Sequence, residues 1–492
     1  MTALVSVKPL IAVLVSLLVI PVLISSSRPN VREAWSFAAA LIKFGVIASM
    51  LPAVMAGGVL EFTIVPVFEG LAFKLRVDAF GLLFALVASF LWIVTSAYSI
   101  GYMRGLDEHS QTRYFCFFAA ALSATIGAAF SANLLTLYIF YEILSLSTYP
   151  LVTHHQDAEA RSSGRKYLLY IMGGSIGLVL PAMVAVYLMA GTLEFGTGAL
   201  LGGATARVPA LLLLLMFVFG FSKAAIMPVH AWLPAAMVAP TPVSALLHAV
   251  AVVKVGVFCV FRVIGEVFGP DLLLDLGFRT LLCAIAAVTI LVSSLIALSQ
   301  DNLKRRLAFS TIGQLSYVVL GAALLTPSGM TGGMLHIAMH AFGKITLFFC
   351  AGAIAVAAGV KNISEMQGIG KQMPVTMAAF FIGALSVIGL PPCGGFISKW
   401  WLAVGTIEAG AFVMLGVLLF SSLLNAAYFL PIVFRAFFYR PGSTGFEKGI
   451  NEAPGWCLVP PVVTAVFSII LFFCPQPFFN LSKLAVSRIL GG

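Results

Sequence analysis

The stretch Leu247-His-Ala-Val-Ala-Val-Val-Lys-Val-Gly256 lies in an apolar segment, 243–264, that is long enough to cross a lipid bilayer. The hydrocarbon core of a bilayer is about 30 Å thick, and a helix needs roughly 20 apolar residues to cross it. Titratable side chains at that depth cost free energy and usually mark a functional site. The stretch therefore predicts a membrane helix that carries a histidine and a lysine in its interior.

Similar apolar segments recur along the chain, and we count about fourteen. Their approximate cores are 4–25, 33–56, 78–103, 112–130, 133–153, 165–189, 208–227, 243–264, 276–298, 307–325, 331–358, 375–402, 410–437 and 456–478. Of the 492 residues, 61% are hydrophobic and 9% charged, whereas soluble domains are roughly a quarter charged. The sequence predicts an all-α polytopic membrane protein.

The 28 lysines and arginines are distributed unevenly between the two sides of the membrane. About fifteen lie in loops after odd-numbered segments: Arg28, Arg32, Arg104, Arg113, Arg161, Arg165, Lys166, Lys304, Arg305, Arg306, Lys361, Lys371, Arg435, Arg440 and Lys448. Roughly eight lie on the other side: Lys8, Lys74, Arg76, Arg207, Arg262, Arg279, Lys483 and Arg488. The positive-inside rule therefore predicts a bacterial plasma-membrane protein with both termini outside the cytoplasm. The basic residues form no patch interleaved with aromatic residues, so we expect no nucleic-acid partner.

Five basic residues and one carboxylate fall inside the predicted spans. The basic residues are Lys43, Lys223, Lys254, Lys344 and Lys399. The carboxylate, Glu142, lies near the middle of the fifth segment, too deep to reach an interface. We expect Lys223 to be its partner, since a nearby ammonium favours a charged carboxylate, and a pair that approaches and separates is a proton switch. For Lys43 we expect a structural role, with its side chain extending toward the interface.

Three titratable residues recur at every fourth position of the eleventh segment, namely His336, His340 and Lys344. This spacing places them on one helical face at steps of roughly 6 Å. On the eighth segment, His248 and Lys254 lie about 9 Å apart along the axis, so water can carry a proton between them. A lone membrane histidine more often has a structural role, but three titratable groups in one stripe favour a proton relay.

Helix breakers interrupt the seventh and twelfth segments at similar places. The first break is Phe221-Ser-Lys-Ala-Ala-Ile-Met-Pro-Val-His-Ala-Trp-Leu-Pro234, and the second is Gly389-Leu-Pro-Pro-Cys-Gly-Gly-Phe-Ile-Ser-Lys399. Single prolines often only kink membrane helices for packing. Two breaks, each beside a lysine, instead indicate an inverted-repeat transporter with hydrated sites at the breaks.

The sequence contains no Walker loop, no dinucleotide glycine fingerprint and no haem or flavin signature. We therefore expect no cofactor and no catalytic site, and any redox energy must come from partner subunits. The seven cysteines include no Cys-x-x-Cys pair, which favours apolar packing over an iron–sulfur or zinc site, so we expect no metal. The basic run 300–306 is a solvated loop by composition, and it is equally suited to anchor anionic lipid.

Several of these motifs occur together in one known family. They are Tyr141-Glu142, Ser222-Lys223, Pro228-Val-His-Ala-Trp-Leu-Pro234, Pro240-Thr-Pro-Val-Ser-Ala-Leu-Leu-His248, Asp301-Asn-Leu-Lys-Arg-Arg-Leu-Ala-Phe-Ser-Thr311, His340-Ala-Phe-Gly-Lys344 and Gly389-Leu-Pro-Pro392. Over nearly the whole chain they resemble the antiporter-like subunits shared by respiratory complex I, membrane-bound hydrogenases and Mrp multisubunit sodium/proton antiporters. The resemblance implies fourteen helices and two inverted five-helix repeats with broken seventh and twelfth helices.

The resemblance also implies a domain plan and residue roles. We expect one membrane domain with N-terminal helices over 1–111, repeats over 112–264 and 276–437, and a C-terminal helix and tail over 456–492. Glu142 and Lys223 would form the modulating pair, Lys254 the central proton carrier, and Lys399 the carrier toward the external half-channel. The groups that would bridge these carriers are His248, His336, His340 and Lys344.

Within the family, the sequence favours the smaller Mrp antiporter-like subunit, the D type. The chain ends soon after its fourteenth segment, and Lys399 stands where the middle complex I subunit typically has a glutamate. Gly343 and Cys393-Gly394 depart from the family pattern. We expect a proton-translocating subunit of a Na⁺/proton antiporter that works with other membrane subunits.

Two other functions stay open at this point. One is a proton-pumping subunit of an NADH:quinone oxidoreductase or a hydrogenase, and the other is an inert scaffold. The passage of Na⁺ through this chain is also open, because no cluster of buried carboxylates offers an oxygen cage for a hard cation.

Overall fold

The computed structural model describes residues 3–68, 71–196, 198–202, 205–439 and 449–491. Two basic residues that the sequence assigns to cytoplasmic loops, Arg440 and Lys448, lie outside the described residues. The described chain is mainly a bundle of long helices that cross one another in a single hydrophobic core.

The long helices follow the predicted segments closely. They are α1 (Lys8–Ser25), α2 (Pro29–Met55), α3 (Ala79–Gly105), α4 (Gln111–Ala129), α5 (Leu134–Val152), α6 (Ala158–Ala190), α7 (Arg207–Gly220), α8 (Thr241–Phe268), α9 (Arg279–Ser299), α10 (Leu303–Ala323), α11 (Pro327–Ala358), α12 (Pro374–Ile388), α13 (Gly394–Glu408), α14 (Phe412–Phe438), α15 (Gly455–Phe473) and α16 (Gln476–Ile489). Within the described ranges, eleven helices are long and apolar enough to span a membrane. The helical membrane fold is confirmed, whereas the count of fourteen spans stays a prediction.

Polar side chains define where several of these helices begin. Asp78 accepts a hydrogen bond from the Gly81 amide ahead of α3, and Asn133 accepts one from Thr136 ahead of α5, both at 2.8 Å. Asn302 does the same for α10. Such caps satisfy amide groups that the first helical turn leaves free. The connections between spans are therefore fixed at the helix starts.

A small sheet, which the sequence did not predict, lies between α2 and α3. Strand β1 (Ala3–Val5) pairs in parallel with β2 (Val59–Phe68), which pairs antiparallel with β3 (Leu71–Val77). Across it, Glu61 accepts from Lys74 Nζ and Arg76 Nε, each at 2.8 Å. Partial burial raises the pKa of Glu61, but the two cations outweigh burial and hold it below its usual range. This carboxylate therefore stabilises the sheet near neutral pH, and the contribution is lost as the pH falls through its lowered pKa.

Strand β1 and helix α16 lie at the same end of the bundle. Strand β1 pairs with the start of β2, while Arg488 near the end of α16 lies 3.6 Å from the Asp78 carboxylate at the start of α3. The chain between β1 and the end of α16 therefore crosses the bundle an even number of times. Which side of the membrane this end faces stays a prediction.

Glycines bring helices into close contact around the two breaks. A Cβ on Gly256 of α8 would lie 2.2 Å from the Lys223 carbonyl carbon, and one on Gly395 of α13 would lie 1.8 Å from the Ser386 carbonyl oxygen. A Cβ on Gly343, where the family pattern has a bulky residue, would lie 2.9 Å from Ser386 Oγ. Small residues permit such approach between membrane helices.

Two sequence-based placements of cationic side chains are wrong. Lys43 does not extend to the interface, because its Nζ donates to Ser16 Oγ of α1 at 2.6 Å inside the bundle, where the residue is fully buried. Arg262, which we counted with the loops of the side that carries the termini, lies within α8. It is buried because Asp78 and Glu266 neutralise it, with its Nη2 2.7 Å from Asp78.

Replacing Arg262 with leucine should lower the stability of the protein by about 3 kcal/mol, because it leaves buried carboxylates without their cation. The thermal unfolding temperature of the purified protein in detergent measures this loss. The control is Arg161→Ala, which removes an exposed arginine and should leave unfolding unchanged. An Arg262→Leu variant as stable as the wild type would contradict the assignment of a structural ion-pair cluster.

Candidate functional site

Seven basic residues form a row through the middle of the helix bundle, which we call the central row. Its members are Lys223, His248, Lys254, His340, His336, Lys344 and Lys399. The first six are at most 2% exposed, and Lys399 is partly exposed on the flank of the bundle. Such groups inside a membrane protein line water or contact one another.

At the first break, the end of α7 brings Lys223 against α5. The helix ends at Gly220, a short turn Ser222–Ala224 follows, and the Trp232 indole donates to the freed Ser222 carbonyl at 2.8 Å. The Lys223 ammonium donates to the Tyr141 carbonyl at 2.9 Å and to Ser145 Oγ at 2.6 Å. The break therefore places this ammonium among neutral oxygen acceptors.

The predicted ion pair between Glu142 and Lys223 is not formed in this structure. Lys223 uses its donors on Tyr141 and Ser145, and no carboxylate oxygen lies within 4 Å of it in the described chain. Both Glu142 oxygens are buried and have no hydrogen-bond partner among the described residues. Glu142 and Tyr141 are adjacent on α5, so a helix directs their side chains about 100° apart. The structure therefore shows the two charges of the predicted switch apart.

At the second break, the proline pair frees a carbonyl that accepts from Lys399. In an unbroken helix the Ile388 carbonyl would accept from the amide of residue 392, but Pro392 has no N–H. Lys399 Nζ donates to this carbonyl at 2.8 Å and to Ser422 Oγ of α14 at 3.1 Å. Both predicted breaks therefore hold a lysine at a backbone or hydroxyl oxygen.

Between the breaks, Lys254 of α8 contacts His340 of α11 directly. The distance from Lys254 Nζ to His340 Nδ1 is 2.5 Å. The sequence analysis paired Lys254 with His248 through water and did not derive this contact. Along such a bond one proton can move between an ammonium–imidazole pair and an amine–imidazolium pair. The other imidazole nitrogen, His340 Nε2, is buried and unpaired within the described chain.

His336, one turn before His340, has partners that suit both of its protonation states. Its ring stacks 5.6 Å from the His340 ring, its Nε2 lies 3.1 Å from Gln314 Oε1, and its Nδ1 lies 2.9 Å from Ser398 Oγ. Ser398 also donates to the Gly395 carbonyl. In the neutral ring, Nε2 donates to Gln314 and Nδ1 accepts from the hydroxyl. In the charged ring, Nδ1 donates to Ser398, whose hydrogen then turns to Gly395.

Lys344 completes the predicted stripe but belongs to a separate group of partners. Its Nζ donates to Ser310 Oγ of α10 at 2.7 Å, and that hydroxyl also accepts from Tyr428 of α14 at 2.9 Å. Tyr428 also contacts Asn425 Oδ1. The stripe is therefore on one face, but Lys344 has different neighbours from those of His336 and His340.

His248 lies close to an open cavity at one end of the bundle. The cavity has a volume of about 920 Å³, and we call it the rim cavity; its lining includes Glu108, His155, Lys166, His230, Lys304 and Lys361. The wall residues 230–231 and 234–235 flank the Trp232 ring, which lies 6.0 Å from the His248 ring. Both His248 nitrogens are buried and unpaired among the residues that the structure describes. Buried imidazoles usually have partners, so this site is suited to bridging water.

Sequence reasoning missed the neutral residues that hold the central row. Ser145, Gln314, Ser310 and Ser398 each contact one of its members, yet they carry no charge and are common in membrane helices. Two of them had a local signal, since Ser145 lies one turn from Tyr141 and Ser398 directly precedes Lys399. For Gln314 no signal of that kind exists.

The sequence is similar to known membrane proteins. Residues 131–425 match the family described as NADH:quinone oxidoreductase/Mrp antiporter, TM. NADH-quinone oxidoreductase subunit N of Desulforudis audaxviator is 35% identical over 411 residues, covering 80% of each chain. A Na(+)/H(+) antiporter subunit of Alkalihalophilus pseudofirmus is 31% identical, covering 89% of this chain and 57% of its own. A chain of a solved Mrp complex from Dietzia sp. DQ12-45-1b matches with TM-score 0.87 at 22% identity, covering 99% of this chain and 98% of that one, and shows likeness of fold.

Replacing Gln314 with leucine should lower proton flux about tenfold, because it removes the acceptor at His336 Nε2. An unpaired buried donor costs about 1–3 kcal/mol, and 1.4 kcal/mol is a factor of ten in the population of the charged ring. Flux is measured in vesicles that contain the assembled complex. The control is Ser316→Ala on the same helix, since that buried hydroxyl has no hydrogen-bond partner among the described residues. Wild-type flux in Gln314→Leu would show that transported protons do not charge His336.

Proposed function

Since the chain belongs to the NADH:quinone oxidoreductase/Mrp antiporter membrane family, we propose that it translocates protons in a multisubunit Na⁺/proton antiporter of Mrp type, as the D-type subunit. The observation that carries this proposal is the contact between Lys254 and His340, 2.5 Å apart in the bundle centre. Two groups that bind protons reversibly, in direct contact and fully buried, form a step of a proton path. A scaffold needs no such pair.

The rest of the path runs on both sides of this contact. Toward the first break, Gly256 packs α8 on the backbone of Lys223. Toward the second break, the proton passes from His340 to His336, whose partner Ser398 precedes Lys399 in sequence. Each step needs a donor and an acceptor within hydrogen-bond reach or a bridging water. In this proposal Lys254 is the central carrier and Lys399 the carrier toward the outer half-channel.

Glu142 regulates the first carrier in this proposal. When the carboxylate approaches Lys223, Coulomb attraction favours the ammonium form, and when it withdraws the ammonium releases its proton more easily. The structure has the pair apart, with Lys223 bonded to Tyr141 and Ser145. Movement of α5 relative to the first break would exchange these neutral acceptors for the carboxylate.

The rim cavity serves as the cytoplasmic entrance. It is formed by the connections that follow α3, α5, α9 and α11, which carry the larger share of the basic residues. The positive-inside rule places this end in the cytoplasm and β1 and α16 outside. From the cavity, protons reach His248 beside Trp232.

Partner subunits are part of the proposed function. Glu142 and Lys399 are the two titratable residues of the proposed path with partly exposed side chains, so a neighbouring membrane subunit can reach each of them. Moving one charge against 100 mV requires about 2.3 kcal/mol. We propose that these partners supply that energy from a cation gradient.

A second candidate is a proton-pumping subunit of a redox complex. The relative that supports it is the NADH-quinone oxidoreductase subunit, which is 35% identical and matches 80% of each chain. The same row of lysines and histidines serves this function, with redox cofactors on other subunits as the energy source. The energy source therefore distinguishes the two candidates.

The four variants Glu142→Ala, Lys223→Ala, Lys254→Ala and Lys399→Ala test both candidates. We measure proton and sodium flux in vesicles that contain the assembled complex, with assembly confirmed for each variant. In the antiporter, a sodium gradient drives proton flux, and each variant lowers it at least tenfold because a carrier or its regulator is lost. Flux that requires an electron donor would instead support the redox pump.

The matched control is Lys43→Ala, which removes another fully buried lysine. Lys43 contacts Ser16 and Trp92 and lies outside the central row, so we expect wild-type flux per assembled complex. Flux that is indifferent to all four path variants would contradict the proton path and support the scaffold alternative.

A further inference from the structure

Three residues with metal-binding side chains meet at the edge of the rim cavity. Glu108 and His109 follow α3, and His154 follows α5. One ligand atom from each lies within 4.8 Å of the others. A fourth residue, His155, has its Nδ1 3.6 Å from Glu108 Oε2. The proton path does not use any of these four residues.

His154 points to a ligand at this cluster. Its side chain is fully buried, and neither ring nitrogen has a hydrogen-bond partner in the described chain. Its Nε2 lies 3.7 Å from Glu108 Oε2, beyond hydrogen-bond length. Two ligands about 2.0–2.1 Å from a tetrahedral zinc ion lie about 3.4 Å apart. The separation is therefore close to that of two atoms that share one metal ion.

We propose that Glu108, His109 and His154 bind a divalent transition-metal ion, with Zn²⁺ as the natural candidate. Two imidazoles and one carboxylate are a known zinc ligand set, and the fourth position is left for water or His155. A hard cation such as Mg²⁺ or Ca²⁺ prefers oxygen ligands, so the imidazoles disfavour it. Three of the four nearby side chains are histidines, which selects the transition metals.

Neighbouring groups hold the ligands in position. Arg113 donates to the His154 carbonyl at 2.8 Å, and Gln111 donates to the Glu108 carbonyl at 3.1 Å, so both loop backbones are fixed to α4. Burial, with His109 and Arg113 nearby, lowers the pKa of His154 to about 4. The imidazole is therefore neutral at physiological pH, which is the form that binds metal.

The bound ion would connect the connections that follow α3 and α5 at the proposed proton entrance. Glu108 and His155 both belong to the cavity lining, so the ion would add positive charge where protons enter. We expect micromolar Zn²⁺ to slow proton uptake. This effect on transport rests on the proposed function, whereas metal binding does not.

Metal binding is tested on the purified assembled complex after removal of metals with a chelator. We add Zn²⁺ or Co²⁺ and measure the bound metal per complex and the visible absorption of Co²⁺. His109→Ala and His154→Ala should each lose one equivalent of metal and the Co²⁺ band, and Glu108→Gln should bind at least tenfold more weakly. His109 is exposed, so its variant tests the site without disturbing the core.

The control is His230→Ala, a partly buried histidine in the wall of the same cavity, which should bind as much metal as the wild type. Equal metal content and equal Co²⁺ spectra in the wild type, His109→Ala and His154→Ala would overturn the proposed site. Loss of metal in these variants while wild-type transport ignores Zn²⁺ would support the site and reject its effect on proton entry.

Discussion

A lysine inside a membrane protein must have acceptors for its ammonium, yet it must also be able to lose its proton if it is to carry one. Pairing with a permanent carboxylate would satisfy only the first requirement. The two broken helices satisfy both, because they offer carbonyl and hydroxyl oxygens that carry no charge. Lys223 uses Tyr141 and Ser145, and Lys399 uses the carbonyl that Pro392 leaves free.

Close helix packing makes these breaks part of one path. The breaks would be isolated pockets if α8, α11 and α13 stood at ordinary distances. Gly256 and Gly395 let backbones approach until one helix touches the break of another. As a result, Lys254 meets His340 near the midpoint between the breaks. Arg262 is different, since it is paired with fixed carboxylates and stabilises the end of the bundle.

The end of the bundle opposite β1 and α16 combines the open cavity with a cluster of histidines. His154 and His248 are both buried without partners in the described chain, but their neighbours differ. His248 lies beside Trp232 on the proposed path, where water suits it. His154 faces a carboxylate and two further imidazoles, where a metal ion suits it. Similar burial therefore leads to different chemistry because the surroundings differ.

The sequence by itself determined the helical membrane fold, the positions of the breaks and the stripe on α11. These are properties of apolar length, of proline and glycine, and of helical spacing, all of which act locally. Only the tertiary structure decided which groups meet. It showed Lys254 beside His340, Lys43 bonded inside the bundle, Glu142 apart from Lys223, and His154 beside Glu108. It also added the small sheet, whose strands pair across a long helical segment. Contacts between residues far apart in the chain depend on how helices pack, and helix packing depends on the whole bundle rather than on any local pattern.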